Sequence, residues 1–137
     1  MSDISIKQKR AVIALRVVVA AIMFIHGIAR VRYGTVGSVG AFFSQAGFPL
    51  GLVIAWSITI FELIGSVLLA VGVFVAPIAC VFIIELVMGI ILIYSKAGWF
   101  VVGRGSNGME FSVLLIAVMA AVAYSHFDGW KNSISKK

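Results

Sequence analysis

Six ionisable residues stand inside or at the edges of apolar runs: Arg16, His26, Arg30, Glu62, Glu85 and Glu110. Glu62 poses the sharpest problem. The stretch "WSITIFELIGSVLLAVG", Trp56 to Gly72, has it as its single charge. An Asp, Lys or Arg at a bilayer centre costs about 2.5–3.5 kcal/mol on insertion scales, and Glu is expected to be similar. The surrounding Leu, Ile, Val and Phe each contribute about −0.3 to −0.6 kcal/mol, so the segment still inserts. Once inserted, the carboxyl needs a cation, a proton or water. Acids and bases held this way can bind a polar head group or pass protons. Three carboxyls set against Arg30 and His26 leave an excess of acid, so at least one Glu is expected to titrate high.

Helical spacing says which groups share a face. Arg16, Ala20, Met23, Gly27 and Arg30 follow steps of four, three, four and three, as do Ala55, Thr59, Glu62 and Ser66, with Gly65 beside them. Glu85 has Gly89 one turn on, and Glu110 is followed by Leu114, Ala117, Ala121 and Tyr124. Small residues let helices approach closely, so each stripe is expected to face the interior of a bundle. Depth then suggests pairs. Arg16 could reach Glu62 from one side, and Arg30 or His26 could reach Glu85 or Glu110 from the other. Two readings stand for Arg16 and Glu62: a buried pair that fixes helix register, or part of a site. For His26, Arg30, Glu85 and Glu110 a site is the expectation.

The elements that must position these groups follow from composition. Of 137 residues, 62% are hydrophobic and only 12% charged, and the mean hydropathy is +1.15. A soluble domain is nearer half apolar, so a membrane-embedded chain is the class that fits. Four segments are long enough to cross: Ala11–Val31, Leu50–Phe74, Pro77–Tyr94 and Met109–Tyr124. They are continuously apolar and do not alternate, which excludes a β-barrel. The expected fold is an all-α, antiparallel bundle of four transmembrane helices in one membrane domain covering residues 1–137. Phe42, Phe43 and Phe48 in the first connection predict a short interfacial helix, stopped by Gly47 and Pro49. "VFVAP" predicts a tight hairpin with Pro77 at a helix start.

The formal charge is +6. Lys7, Lys9, Arg10, Lys131, Lys136 and Lys137 flank apolar spans and form no groove, so no nucleic acid is expected. The same residues favour cytoplasmic termini, against Arg30, Arg32, Lys96 and Arg104 on the other side. The first span reads as a retained signal-anchor, with no small-residue cleavage site.

Other sharp readings fail on spacing. His26 and His126 are the only histidines. At about 1.5 Å per residue they lie more than roughly 20 Å apart along the bundle, too far to share a haem. Glu-x-x-His pairs are missing, so no di-metal centre or other metal site is expected. Cys80 is the single cysteine and reads as a small apolar filler. "GRGSNG" lacks the strand and Lys of a phosphate loop and reads as a turn.

The chain resembles the DoxX family of small bacterial membrane proteins. "LRVVVAAIMFIHGIAR", "FFSQAGFP", "FELIGSVLLAVG" and "NGMEFSVLL" carry the likeness, with Gly27 and Arg30, Glu62, Gly65, Leu69 and Gly72, and Gly108 and Glu110 at matching places. His26 departs from the apolar or small residue frequent before that glycine. The resemblance implies a link to quinone-dependent oxidoreduction or to complexes that handle oxidative stress.

Three functions follow as expectations. The first is an inner-membrane redox accessory subunit, in which Arg30 or His26 donates to a quinone carbonyl and a nearby Glu exchanges a proton. A partner oxidoreductase would supply electrons, since no residue here holds an electron carrier. The second is a small proton-coupled permease, which four helices would form more readily as a homo-oligomer. The third is a membrane scaffold whose buried charges only specify packing.

Overall fold

Five α-helices make up most of the computed structural model, which describes residues 3–102 and 107–134. They are α1 (Asp3–Arg32), α2 (Val36–Gln45), α3 (Gly51–Val71), α4 (Val75–Leu92) and α5 (Glu110–Ile134). A single 3-10 turn, Tyr94–Lys96, follows α4. No strand occurs among the described residues. Four of the helices have stretches long and apolar enough to cross a bilayer: Ser5–Arg32, Gly51–Val71, Val75–Leu92 and Glu110–Phe127. The chain is an all-α, multi-pass membrane protein with a four-helix bundle and one short extra helix.

Local chemistry sets the ends of the elements. α2 stops as the glycine predicts. Gly47 is left-handed (φ 90°), its N–H reaches the Ser44 carbonyl, and the Phe48 N–H reaches that of Phe43. These are the two bonds of a Schellman cap, and the rings of Phe43 and Phe48 meet edge-on at 5.8 Å as its apolar contact. α3 ends identically at Gly72, with Gly72 N–H to Leu69 and Val73 N–H to Leu68. Pro77 falls in the first turn of α4, two residues later than a helix start at Val75, where its missing N–H has no helical acceptor to lose.

α1 packs closely on α3, and α4 on α5, while α3 and α4 share a sparser seam. α2 folds across the beginning of α3, where Gly40 lies against the Leu52 backbone. The apolar core occupies the half of the bundle nearer Arg16 and the Gly72 end of α3. It is built from Val19, Ala20 and Met23 of α1, Leu69 of α3, Val75, Ile78, Ala79 and Phe82 of α4, and Leu115, Met119, Val122 and Ala123 of α5. Ile25, Ile64, Ile84 and Leu114 are among many large apolar side chains left exposed, as a lipid-facing surface requires.

Three of the four small-residue stripes are turned inward. On α3 the buried set is Gly51, Ala55, Thr59, Glu62, Gly65, Ser66 and Leu69. α5 differs from expectation. It buries Ser112, Leu115, Met119, Val122 and Ala123, while Leu114 and Tyr124 are exposed. The stripe drawn from Glu110 therefore lies on the wrong face. Glu110 belongs to the loop packing described below, so its position does not mark the inward side of α5.

Candidate functional site

Gly27 fixes the level at which α1 meets α3. A β-carbon there would stand 3.1 Å from the Leu63 side chain and 3.2 Å from Cβ of Glu62. The bare backbone allows the two helices to touch, as at other close membrane crossings. Arg30, three residues further along α1, then lies against the same face of α3.

Arg30 and Glu62 form a two-pronged ion pair. Nη1 donates to Oε2 at 2.7 Å and Nη2 to Oε1 at 3.0 Å. Nη1 also donates to Thr59 Oγ1 at 3.2 Å, while the Thr59 hydroxyl donates to its own-helix Ala55 carbonyl at 2.7 Å. Thr59 thus has its proton committed and offers Arg30 a lone pair. The pair is asymmetric in exposure: the Arg30 side chain is 17% accessible and that of Glu62 is 2%. Three of the five guanidinium N–H groups are engaged by these bonds, which leaves donor capacity on the reachable partner.

Glu85 enters from α4. Its carboxyl comes close to Glu62 and Arg30. Two carboxylates in contact repel, whereas a carboxyl and a carboxylate can share one proton. The cluster therefore holds two acids and one fixed cation at the sparse α3–α4 seam. Apolar filling beside it comes from Phe61 and Phe82, whose rings are 5.0 Å apart. Gly65 makes room for the Phe61 ring to lie along α3.

The other three sequence candidates lie elsewhere. Arg16 does not meet Glu62. Its Nη2 donates to the Ala70 carbonyl at 3.3 Å, and its Nη1 lies 3.2 Å from His126 Nε2. A cation at the C-terminal end of α3 satisfies an orphan carbonyl and the helix dipole together. His26 is exposed, and its Nδ1 approaches only the Ile22 carbonyl of its own helix, at 3.2 Å. Glu110 accepts the Val101 N–H at 2.9 Å. Around it, the N–H groups of Gly108, Met109 and Glu110 donate to the carbonyls of Phe100, Gly98 and Trp99. The loop between α4 and α5 is tied by these bonds to the first turn of α5, with Glu110 as one of the ties.

Sequence reasoning overlooked three contributors. Thr59 was visible as part of the α3 stripe, yet its service to Arg30 depends on which cation arrives. Gly27 was visible as a small residue, and its close approach to Glu62 is what selects Arg30. His126 carried no signal beyond its position at the inner end of α5, level with Arg16. The turn "GRGSNG" falls largely outside the described residues, of which Asn107 and Gly108 are described.

The sequence model of the DoxX family matches residues 11–96. The chain belongs to the DoxX family. The matched region of this DoxX protein runs from the first turns of α1 to the turn after α4, and so contains Arg30, Thr59, Glu62 and Glu85. The chain is also 30% identical over 113 residues to a Bacillus subtilis (strain 168) protein named "Putative oxidoreductase CatD", covering 82% of this chain and 78% of that one. No solved structure matches it significantly.

Proposed function

We propose that this DoxX protein is a redox-associated subunit of the bacterial plasma membrane that binds a quinone head group at the Arg30–Glu62–Glu85 cluster. The name of the Bacillus subtilis relative supports the redox assignment. The observation that carries the site is the second carboxyl: Arg30 is already matched by Glu62, and Glu85 approaches the same pair.

In this reading Glu62 and Thr59 hold the guanidinium in one orientation. Its unused N–H groups, on the partly exposed side, donate to a quinone carbonyl. Glu85 is the group that gives and takes a proton, since Glu62 is fixed by its two bonds to Arg30. The quinone supplies a two-electron acceptor that takes up two protons on reduction, and a partner oxidoreductase supplies the electrons from a centre of its own. The Lys and Arg balance supports cytoplasmic termini, with Lys7, Lys9, Arg10, Arg16, Lys131, Lys136 and Lys137 on the terminal side and four cations opposite.

Solvent extraction of the purified protein, followed by quinone titration of the protein in nanodiscs, tests this. Quinone is expected to co-purify, and Arg30→Met/Glu62→Met is expected to bind it at least tenfold more weakly while remaining folded. Repeated absence of quinone together with no binding on titration would overturn the reading.

A further inference from the structure

A second polar site lies at the opposite end of the bundle from Arg30. α1 and α5 leave a cleft of about 450 Å³ between them, walled by Ser5, Gln8, Lys9, Arg16, Ser125 and His126. We propose that this cleft binds a phosphate group at the inner face of the membrane.

Charge, hydrogen bonding and depth all point the same way. Lys9 and Arg16 give two fixed positive charges, and no carboxylate lines the cleft among the described residues. Ser5 and Gln8 add neutral donors. Arg16 is held by His126 through Nη1 and by the Ala70 carbonyl through Nη2, which leaves a further N–H on each terminal nitrogen. A guanidinium fixed in this way is suited to oxyanions, since its planar fork matches phosphate geometry.

Depth places the cleft in the phosphate layer. Lys7, Lys9 and Arg10 precede the apolar run of α1, which begins at Ala11. Three cations within four residues mark a membrane edge, so Ser5, Gln8 and Lys9 lie at that edge. Gly72 marks the same end of the bundle on α3. A β-carbon on this left-handed residue at the end of α3 would stand 2.9 Å from the Arg16 guanidinium.

A phosphate at this level comes from a lipid head group or from solution. Val12 and Ile13 continue the wall toward the core, and Ile13 is half exposed, which offers an acyl chain a surface beside the phosphate. A free phosphate gains nothing from those side chains.

Native mass spectrometry of the full chain, titrated separately with phosphatidylglycerol and with inorganic phosphate at constant ionic strength, tests the proposal. One basic residue near an anionic surface contributes about 1 kcal/mol, so Lys9→Gln is expected to weaken binding about fivefold. Arg16→Gln is expected to weaken it at least as much. Lys96→Gln, which removes the same charge from the exposed turn after α4 at the other end, is expected to change nothing. Binding of the lipid but not the ion assigns the site to a head group; binding of both with similar strength assigns it to phosphate itself. Binding of neither, or any binding that is insensitive to Lys9→Gln or equally sensitive to Lys96→Gln, would overturn the site. Neither result bears on quinone binding near Arg30, which is scored by its own titration.

Discussion

Arg16 and Arg30 stand on one face of α1, about four turns apart, and they neutralise different things. Arg30 meets a carboxylate through two hydrogen bonds and adds a threonine hydroxyl. Arg16 meets a helix-end carbonyl and an imidazole. Arg30 thereby allows Glu62 to be buried in the middle of the bundle. Arg16 joins α1 to the C-terminal end of α3 and to His126 of α5, where a long side chain can also reach the membrane surface. Sharing a stripe on a helix does not imply sharing a role. What decides is the depth at which the neighbouring helix offers an acceptor.

Substitutions can break this contrast, beginning with the largest effect. Glu62→Ala leaves the Arg30 charge buried without its partner. Removing one half of a buried pair costs about 3–5 kcal/mol, so a large fall in thermal midpoint in detergent is expected. Gly27→Val comes next. The added side chain meets Leu63 and Glu62 where α1 touches α3, and overpacking of this kind costs about 1–3 kcal/mol. The same thermal assay should register that loss, and cross-linking between α1 and α3 should show the helices further apart. Arg16→Ala removes a helix-end cation, worth up to about 2 kcal/mol in a partly buried setting. It should lower the midpoint less than Glu62→Ala and leave quinone binding unchanged.

The sequence made the stripes of α1 and α3 readable because their period is regular and their residues are small or polar. Glu62 had to face inward, and it does. The choice of cation was not readable. Arg16 and Arg30 both flank the stripe, both side chains are long, and only the contact of Gly27 with Glu62 and Leu63 sets the relative height of the helices. The face of α5 was misread for a different reason. Glu110 looked like a third acid of the site, but its partner is a backbone N–H nine residues earlier. Backbone hydrogen bonds between a loop and a helix start have no residue-type signature, so no spacing rule could have revealed them. His26 showed the limit of depth alone: it shares a level with the cluster but points off the packed face.

The smallest effects sharpen the picture of Glu110 and His26. Glu110→Gln keeps an oxygen to accept the Val101 N–H and should be nearly neutral, while Glu110→Ala should cost about 1 kcal/mol, the usual worth of one such bond. His26→Ala should change stability by less than about 0.5 kcal/mol, as exposed substitutions do. Thermal unfolding of the three variants, compared side by side, checks both statements.

A double-mutant cycle tests most directly whether Arg30, and not Arg16, is the partner of Glu62. Stability would be measured for Arg30→Met, Glu62→Met and the two together, and again with Arg16→Met in place of Arg30→Met. The geometry predicts strong coupling in the first cycle, with the double variant recovering most of the stability that either single change loses. It predicts additivity in the second. Additive losses for Arg30 and Glu62, or coupling of Glu62 to Arg16, would contradict the account.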